Sequence, residues 1–111
     1  MLSMLTDEYR AKILTKLAED PQISQRDLAR ELGISLGKAN YCLRALIYSG
    51  LIKANNFKNS RHKAAYMYFL TRKGISEKAR ATVRFLDHKV AEYEALRREI
   101  AVLKRKMQDK A

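Results

Sequence analysis

The stretch Ile34-Ser35-Leu36-Gly37-Lys38-Ala39-Asn40-Tyr41-Cys42-Leu43-Arg44-Ala45-Leu46-Ile47-Tyr48-Ser49-Gly50 decides how the rest of the chain is read. Its spacing predicts a helix with two unlike faces. Ala39, Cys42, Leu43, Leu46 and Ile47 recur at helical intervals and form one apolar stripe. Gly37, Tyr41, Arg44 and Tyr48 fall on the opposite side, flanked by Lys38 and Asn40. Ser35 suits the N-cap, where its hydroxyl accepts from a first-turn amide, and Ile34 can staple onto Ala39. Gly50 suits the left-handed residue that stops the helix. The outward face offers an amide, a phenol, a guanidinium and a small residue for close approach, the groups that read base edges.

Working back towards the N-terminus, residues 6–19 predict a first helix. Thr6 is its cap, Asp7 and Glu8 suit its positive end, and Tyr9, Ile13, Leu14 and Leu17 are its core face. Pro21 prevents its continuation. Ser24 opens a second, shorter helix with Asp27 as its capping-box partner and Ile23 stapled onto Leu28. Gly33 ends it. Two helices joined by this brief turn are the helix-turn-helix pattern, with Leu36 onward as the recognition helix.

Working forward, the period changes after Gly50. Leu51-Ile52-Lys53-Ala54 predicts a short strand, and Ala64-Ala65-Tyr66-Met67-Tyr68-Phe69-Leu70 a second, with either face apolar enough to be buried. Between them lie Asn55 to Lys63, polar, basic and rich in turn-forming asparagine. A hairpin of this kind after a helix-turn-helix is a wing, whose long basic side chains Lys58, Arg61 and Lys63 reach phosphates or a narrow minor groove. His62 reads as a solvated loop residue.

From Thr71, a plausible cap, one long helix is predicted. Its apolar residues are Ile75, Ala79, Val83, Leu86, Val90, Tyr93, Leu96, Ile100, Leu103 and Met107, mostly three or four apart, as in a coiled-coil seam. Two steps of three at Val90–Tyr93–Leu96 break a strict heptad. Gly74 is a weak point near its start. So small a head cannot cover so long a stripe. A second copy is expected to bury Leu86, Val90, Tyr93, Leu96, Ile100, Leu103 and Met107. The competing expectation is a helix folded back on its own head.

The expected architecture is therefore mainly α with a small β-hairpin wing. Residues 1–74 form a winged helix-turn-helix head and residues 75–111 a dimerising helix. The 111 residues carry a net charge of +11, and no acidic residue falls between Glu31 and Glu77. Such a balance favours a polyanionic partner. The single cysteine, Cys42, excludes an internal disulfide and lies on the apolar stripe, where it fills core space. No glycine-rich phosphate loop, metal cluster or nucleophile–base pairing is present, so neither an enzyme nor a cofactor is expected. No apolar run is long enough to cross a membrane, and early charges at Asp7, Glu8 and Arg10 argue against a signal peptide. A cytoplasmic location is expected.

The run from Ser24 to Leu43, with Leu46-Ile47-Tyr48-Ser49-Gly50-Leu51-Ile52 and Leu70-Thr71-Arg72-Lys73-Gly74, resembles the MarR-type winged-helix transcriptional regulators over residues 6 to about 76. Residues 36–43, Asn56-Phe57-Lys58-Asn59-Ser60 and the Thr82–Leu86 segment are similar to the small subgroup associated with bacterial exopolysaccharide gene clusters. The resemblance implies a sequence-specific DNA-binding regulator. Ser35, Leu36, Gly37, Asn40, Tyr41 and Arg44 would face the major groove and Arg61 would sit at the wing. Ser24, Ser35 and the lysines, Lys38 among them, would hold phosphates beside the helix starts. Many members of that family carry Asp-x-Arg in the wing, where this chain has Asn59-Ser60-Arg61. Their ligand pocket forms between the head, an N-terminal helix and two C-terminal helices. One heptad-like helix stands here instead, so no small-molecule effector is expected between tail and head. A palindromic operator and a homodimer are the expected partners. The rival classes are a winged-helix protein-interaction module and a non-specific nucleic-acid binder.

Overall fold

The computed structural model describes residues 5–58 and 64–109, and at 56–58 and 64–66 the backbone alone. The element order is α1 (Asp7–Glu19), α2 (Gln25–Leu32), α3 (Leu36–Tyr48), β1 (Ile52–Lys58), β2 (Ala64–Leu70) and α4 (Arg72–Asp109). This is the expected mainly helical chain with one two-stranded antiparallel hairpin.

Each of the first three helices begins on a hydroxyl cap. Thr6, Ser24 and Ser35 are extended and accept from the amides of Tyr9, Asp27 and Lys38 respectively. Each cap is worth about 1 kcal/mol. The capping box at α2 is one-sided, because the Asp27 carboxylate pairs with Arg30 at 3.1 Å. Gly33 closes α2 in the left-handed region at φ 68° and Gly50 turns the chain out of α3 at φ 75°.

The core joins Leu5, Ile13, Leu14, Leu17, Ile23, Leu28, Cys42, Leu43, Leu46, Leu51, Ile52 and Tyr68. Tyr9 is only partly buried against it. Ile47, expected in the α3 stripe, is 40% exposed. It lies at the edge of the stripe, and the core is closed by Cys42, Leu43 and Leu46 without it.

The hairpin runs in register from Ile52 opposite Leu70 to Lys58 opposite Ala64. The first strand is thus longer than its predicted four residues. Asn55 and Asn56 favour turns, but here they pair with Met67 and Tyr66, and the ladder overrides their local preference. Tyr68 faces the core, and its amide donates to the Pro21 carbonyl at 2.9 Å, which ties β2 to the α1–α2 turn.

α4 is one helix of 38 residues, about 57 Å at 1.5 Å per residue. Its first turns pack on α1, with Gly74 and Ala81 buried. Asp7, Arg10, Glu77 and Arg84 form a closed ring across that seam. Arg10 meets Asp7 at 3.4 Å and Glu77 at 3.1 Å, and Arg84 meets Asp7 at 3.0 Å and Glu77 at 2.9 Å. Beyond it the helix leaves the head, and the described chain measures 70 × 29 × 26 Å. The helix does not fold back. Leu86, Val90, Tyr93, Leu96, Ile100, Leu103 and Met107 are all exposed in the single chain. No helix among the described residues is long and apolar enough to cross a membrane.

Candidate nucleic-acid interface

The core fixes α3 by its buried stripe and thereby turns its other side outward. Arg44 and Tyr48 are exposed, Tyr48 at 93%, and Tyr41 is half-buried at the edge of the core. Gly37, Asn40, Tyr41, Arg44, Ala45, Tyr48 and Ser49 line one concave surface. Among the described residues Arg44 is in no ion pair.

Gly37 sits on this surface for a reason the fold does not supply. A β-carbon there would meet no atom within 4 Å. Glycine costs about 1 kcal/mol against alanine inside a helix. No contact within the described fold therefore requires glycine at position 37.

The two flanking residues are tied back to the head. Lys38 turns towards α1, its Nζ 4.5 Å from the centre of the Tyr9 ring and 3.4 Å from the Tyr9 hydroxyl. Asn40 turns towards α2, where its Nδ2 donates to Gln25 Oε1 at 3.1 Å. Gln25 Nε2 donates in turn to the Tyr68 hydroxyl at 3.2 Å. The sequence reading missed Gln25, because a contact between residues far apart in the chain leaves no periodic trace.

Ser24 and Ser35 act first as caps, each hydroxyl accepting a backbone amide at 3.0 Å. A serine hydroxyl also carries a hydrogen to donate, so capping and phosphate contact are compatible. Leu36 is exposed at the first turn of α3, where the helix dipole and amides favour an anion. The backbone of Lys58 ends β1, while Arg61 and Lys63 lie outside the described residues.

Cys42 is buried among the core residues, and burial pushes its thiol above the ordinary range despite nearby Lys38. That is the opposite of an activated thiolate. Among the described residues no group of His, Cys, Asp and Glu is arranged to hold a metal ion.

Comparison with known proteins agrees with this geometry. Residues 6–53 match the family described as winged helix-turn-helix DNA-binding. The fold is similar to the adhesin competence repressor of Streptococcus pyogenes, at 20% identity and a TM-score of 0.58, over 78% of this chain and 62% of that one. It is similar to a MarR transcriptional regulator from Methanosarcina mazei, at 21% identity and a TM-score of 0.62, over 91% and 74%. A MarR family protein of Mycobacterium tuberculosis, solved with salicylic acid, is similar at 24% identity and a TM-score of 0.57, over 88% and 74%. The chain thus spans less than two thirds of the streptococcal repressor. Over residues 6–53 the chain is thus similar to the winged helix-turn-helix DNA-binding family, and its fold is the one seen in these MarR-type structures.

Proposed function

We propose that the chain is a dimeric, sequence-specific DNA-binding regulator of transcription that acts by occupying a palindromic operator, with exopolysaccharide biosynthesis genes as its targets. One observation carries the DNA reading. The outward face of α3 presents Gly37, Tyr41 and Arg44 beside Asn40, in a part of the chain that has no acidic residue from 32 to 76. Two such helices enter successive major grooves about 34–36 Å apart, and the wings contact the flanking backbone through Lys58, Arg61 and Lys63. In this reading residues 1–74 bind DNA and residues 75–111 bring two copies together along the exposed stripe of α4. The operator and the target genes rest on the resemblance alone. In this reading no small molecule acts between tail and head, although among the described residues α1 and α4 border two open grooves that share Phe85.

Binding isotherms on duplex DNA, single-stranded DNA and duplex RNA, at several salt concentrations, separate this reading from its rivals. Preference for one duplex sequence supports it. Equal binding to all three polymers would mean a non-specific nucleic-acid binder. No binding to any, with a stable assembly through α4, would mean an interaction module.

A further inference from the structure

We infer that Gln25 is a positioning residue for base recognition, and that it sets the orientation of Asn40 without itself touching DNA. The inference rests on the DNA-binding reading above and deepens it.

Gln25 is the first residue of α2, and it bridges two elements that meet at the DNA-facing side of the head. Its Oε1 accepts from Asn40 of α3 at 3.1 Å, and its Nε2 donates to the Tyr68 hydroxyl of β2 at 3.2 Å. Tyr68 is 4% exposed, and its backbone is held by the hairpin ladder and by Pro21. The relay therefore starts from a fixed point. Gln25 and Asn40 are each half-buried, so their amides are partly screened from water.

The chemistry follows from counting hydrogens. A carboxamide has two N–H donors and one carbonyl acceptor. Giving one N–H to Gln25 leaves Asn40 with one N–H and its oxygen. Those are the two groups that match the N7 acceptor and N6 donor of adenine in the major groove. An unrestrained asparagine can rotate its amide plane and meet other base edges with its donors or its acceptor. Held by Gln25, it presents one plane. Tyr68, in the wing strand, holds Gln25 in turn, so the position of the wing is coupled to what the recognition helix reads.

The test is a double-mutant cycle on the full chain. Wild type, Asn40→Ala, Gln25→Ala, Tyr68→Phe and the double variant Gln25→Ala/Asn40→Ala are titrated at one salt concentration. The duplexes are the best-bound sequence, its single-base-pair variants and a scrambled control. Thermal unfolding of each variant accompanies the titration. The expected result is a loss of about tenfold in discrimination for Gln25→Ala at the same base pair that Asn40→Ala affects, within the coupling seen for contacting residues. Tyr68→Phe, which keeps the core ring, is expected to lower discrimination at that base pair in the same direction. Binding to the scrambled duplex stays within about twofold of wild type. In the Asn40→Ala background, Gln25→Ala changes nothing further. Additive losses, or a loss at another base pair, would overturn the inference and leave the DNA reading standing. A wild type with no sequence preference would overturn both.

Discussion

Gly74, in the first turns of α4, lies against the backbone carbonyl of Leu51, and a β-carbon at position 74 would run into that oxygen. Thr71 secures the same corner. Its hydroxyl donates to the Gly50 carbonyl at 2.6 Å, and its amide donates to the Leu51 carbonyl at 3.0 Å. By helix propensity alone Gly74 is a weak point, and alanine would gain about 1 kcal/mol. The contact reverses that sign. Gly74→Ala is expected to destabilise by about 1–3 kcal/mol, the usual cost of overpacking. The measurement is the urea midpoint at unchanged m-value, and an unchanged midpoint would mean that the root of α4 can shift without cost.

Gly37 gives the opposite expectation from the same substitution. Open space surrounds it, so Gly37→Ala should raise stability by up to about 1 kcal/mol. It should nonetheless weaken binding to duplex DNA, because the new methyl projects from the recognition face. Urea unfolding and a DNA titration on one preparation check both signs. A variant that gains stability and keeps full affinity would remove position 37 from the interface.

Cys42 sets a limit at alkaline pH. Burial raises its thiol in the folded chain, so the folded state favours the protonated form. The stability linked to it is fully present below the ordinary thiol pKa of about 8.5 and is lost as pH rises through the higher native value. A Cys42→Ala variant should show a shallower decline of the thermal midpoint above pH 8.5 than wild type. In the native chain the thiol should resist alkylation at neutral pH, and rapid labelling without unfolding would contradict its burial.

The stripe on α4 makes an assembly prediction that does not disturb the head. Leu96 and Ile100 are already 55% and 44% exposed in the single chain. Replacing both with glutamate should therefore leave the monomer fold intact. Sedimentation should show wild type as a dimer and Leu96→Glu/Ile100→Glu as a monomer with the same helical signal. A variant that stays dimeric at micromolar concentration would place the interface elsewhere.

What was legible in the sequence was local. A cap acts over three residues, so Thr6, Ser24 and Ser35 could be read from their neighbours, as could the stops at Gly33 and Gly50. The helices followed from period, and the second strand from its aromatic run. What escaped was carried by contacts across the fold. The Asn40–Gln25–Tyr68 relay and the Asp7–Arg84 pair join distant positions that no pattern links. Lys38 reads as a phosphate ligand by type, yet in the free chain it rests on Tyr9. The length of β1 was set by its partner strand, against the turn preference of Asn55 and Asn56. Gly74 carried the wrong sign because propensity knows nothing of Leu51.

The most direct test of the central claim, that two copies read a palindrome through α3, is selection of bound duplexes from a random pool by the full chain at a stated salt concentration. The expected result is an enriched inverted repeat whose half-site centres lie about one helical turn, or a multiple of it, apart. Selection with Asn40→Ala should lose one base pair from each half-site and keep the spacing. A pool that is bound but not enriched, or an enriched single half-site without its mate, would contradict the claim.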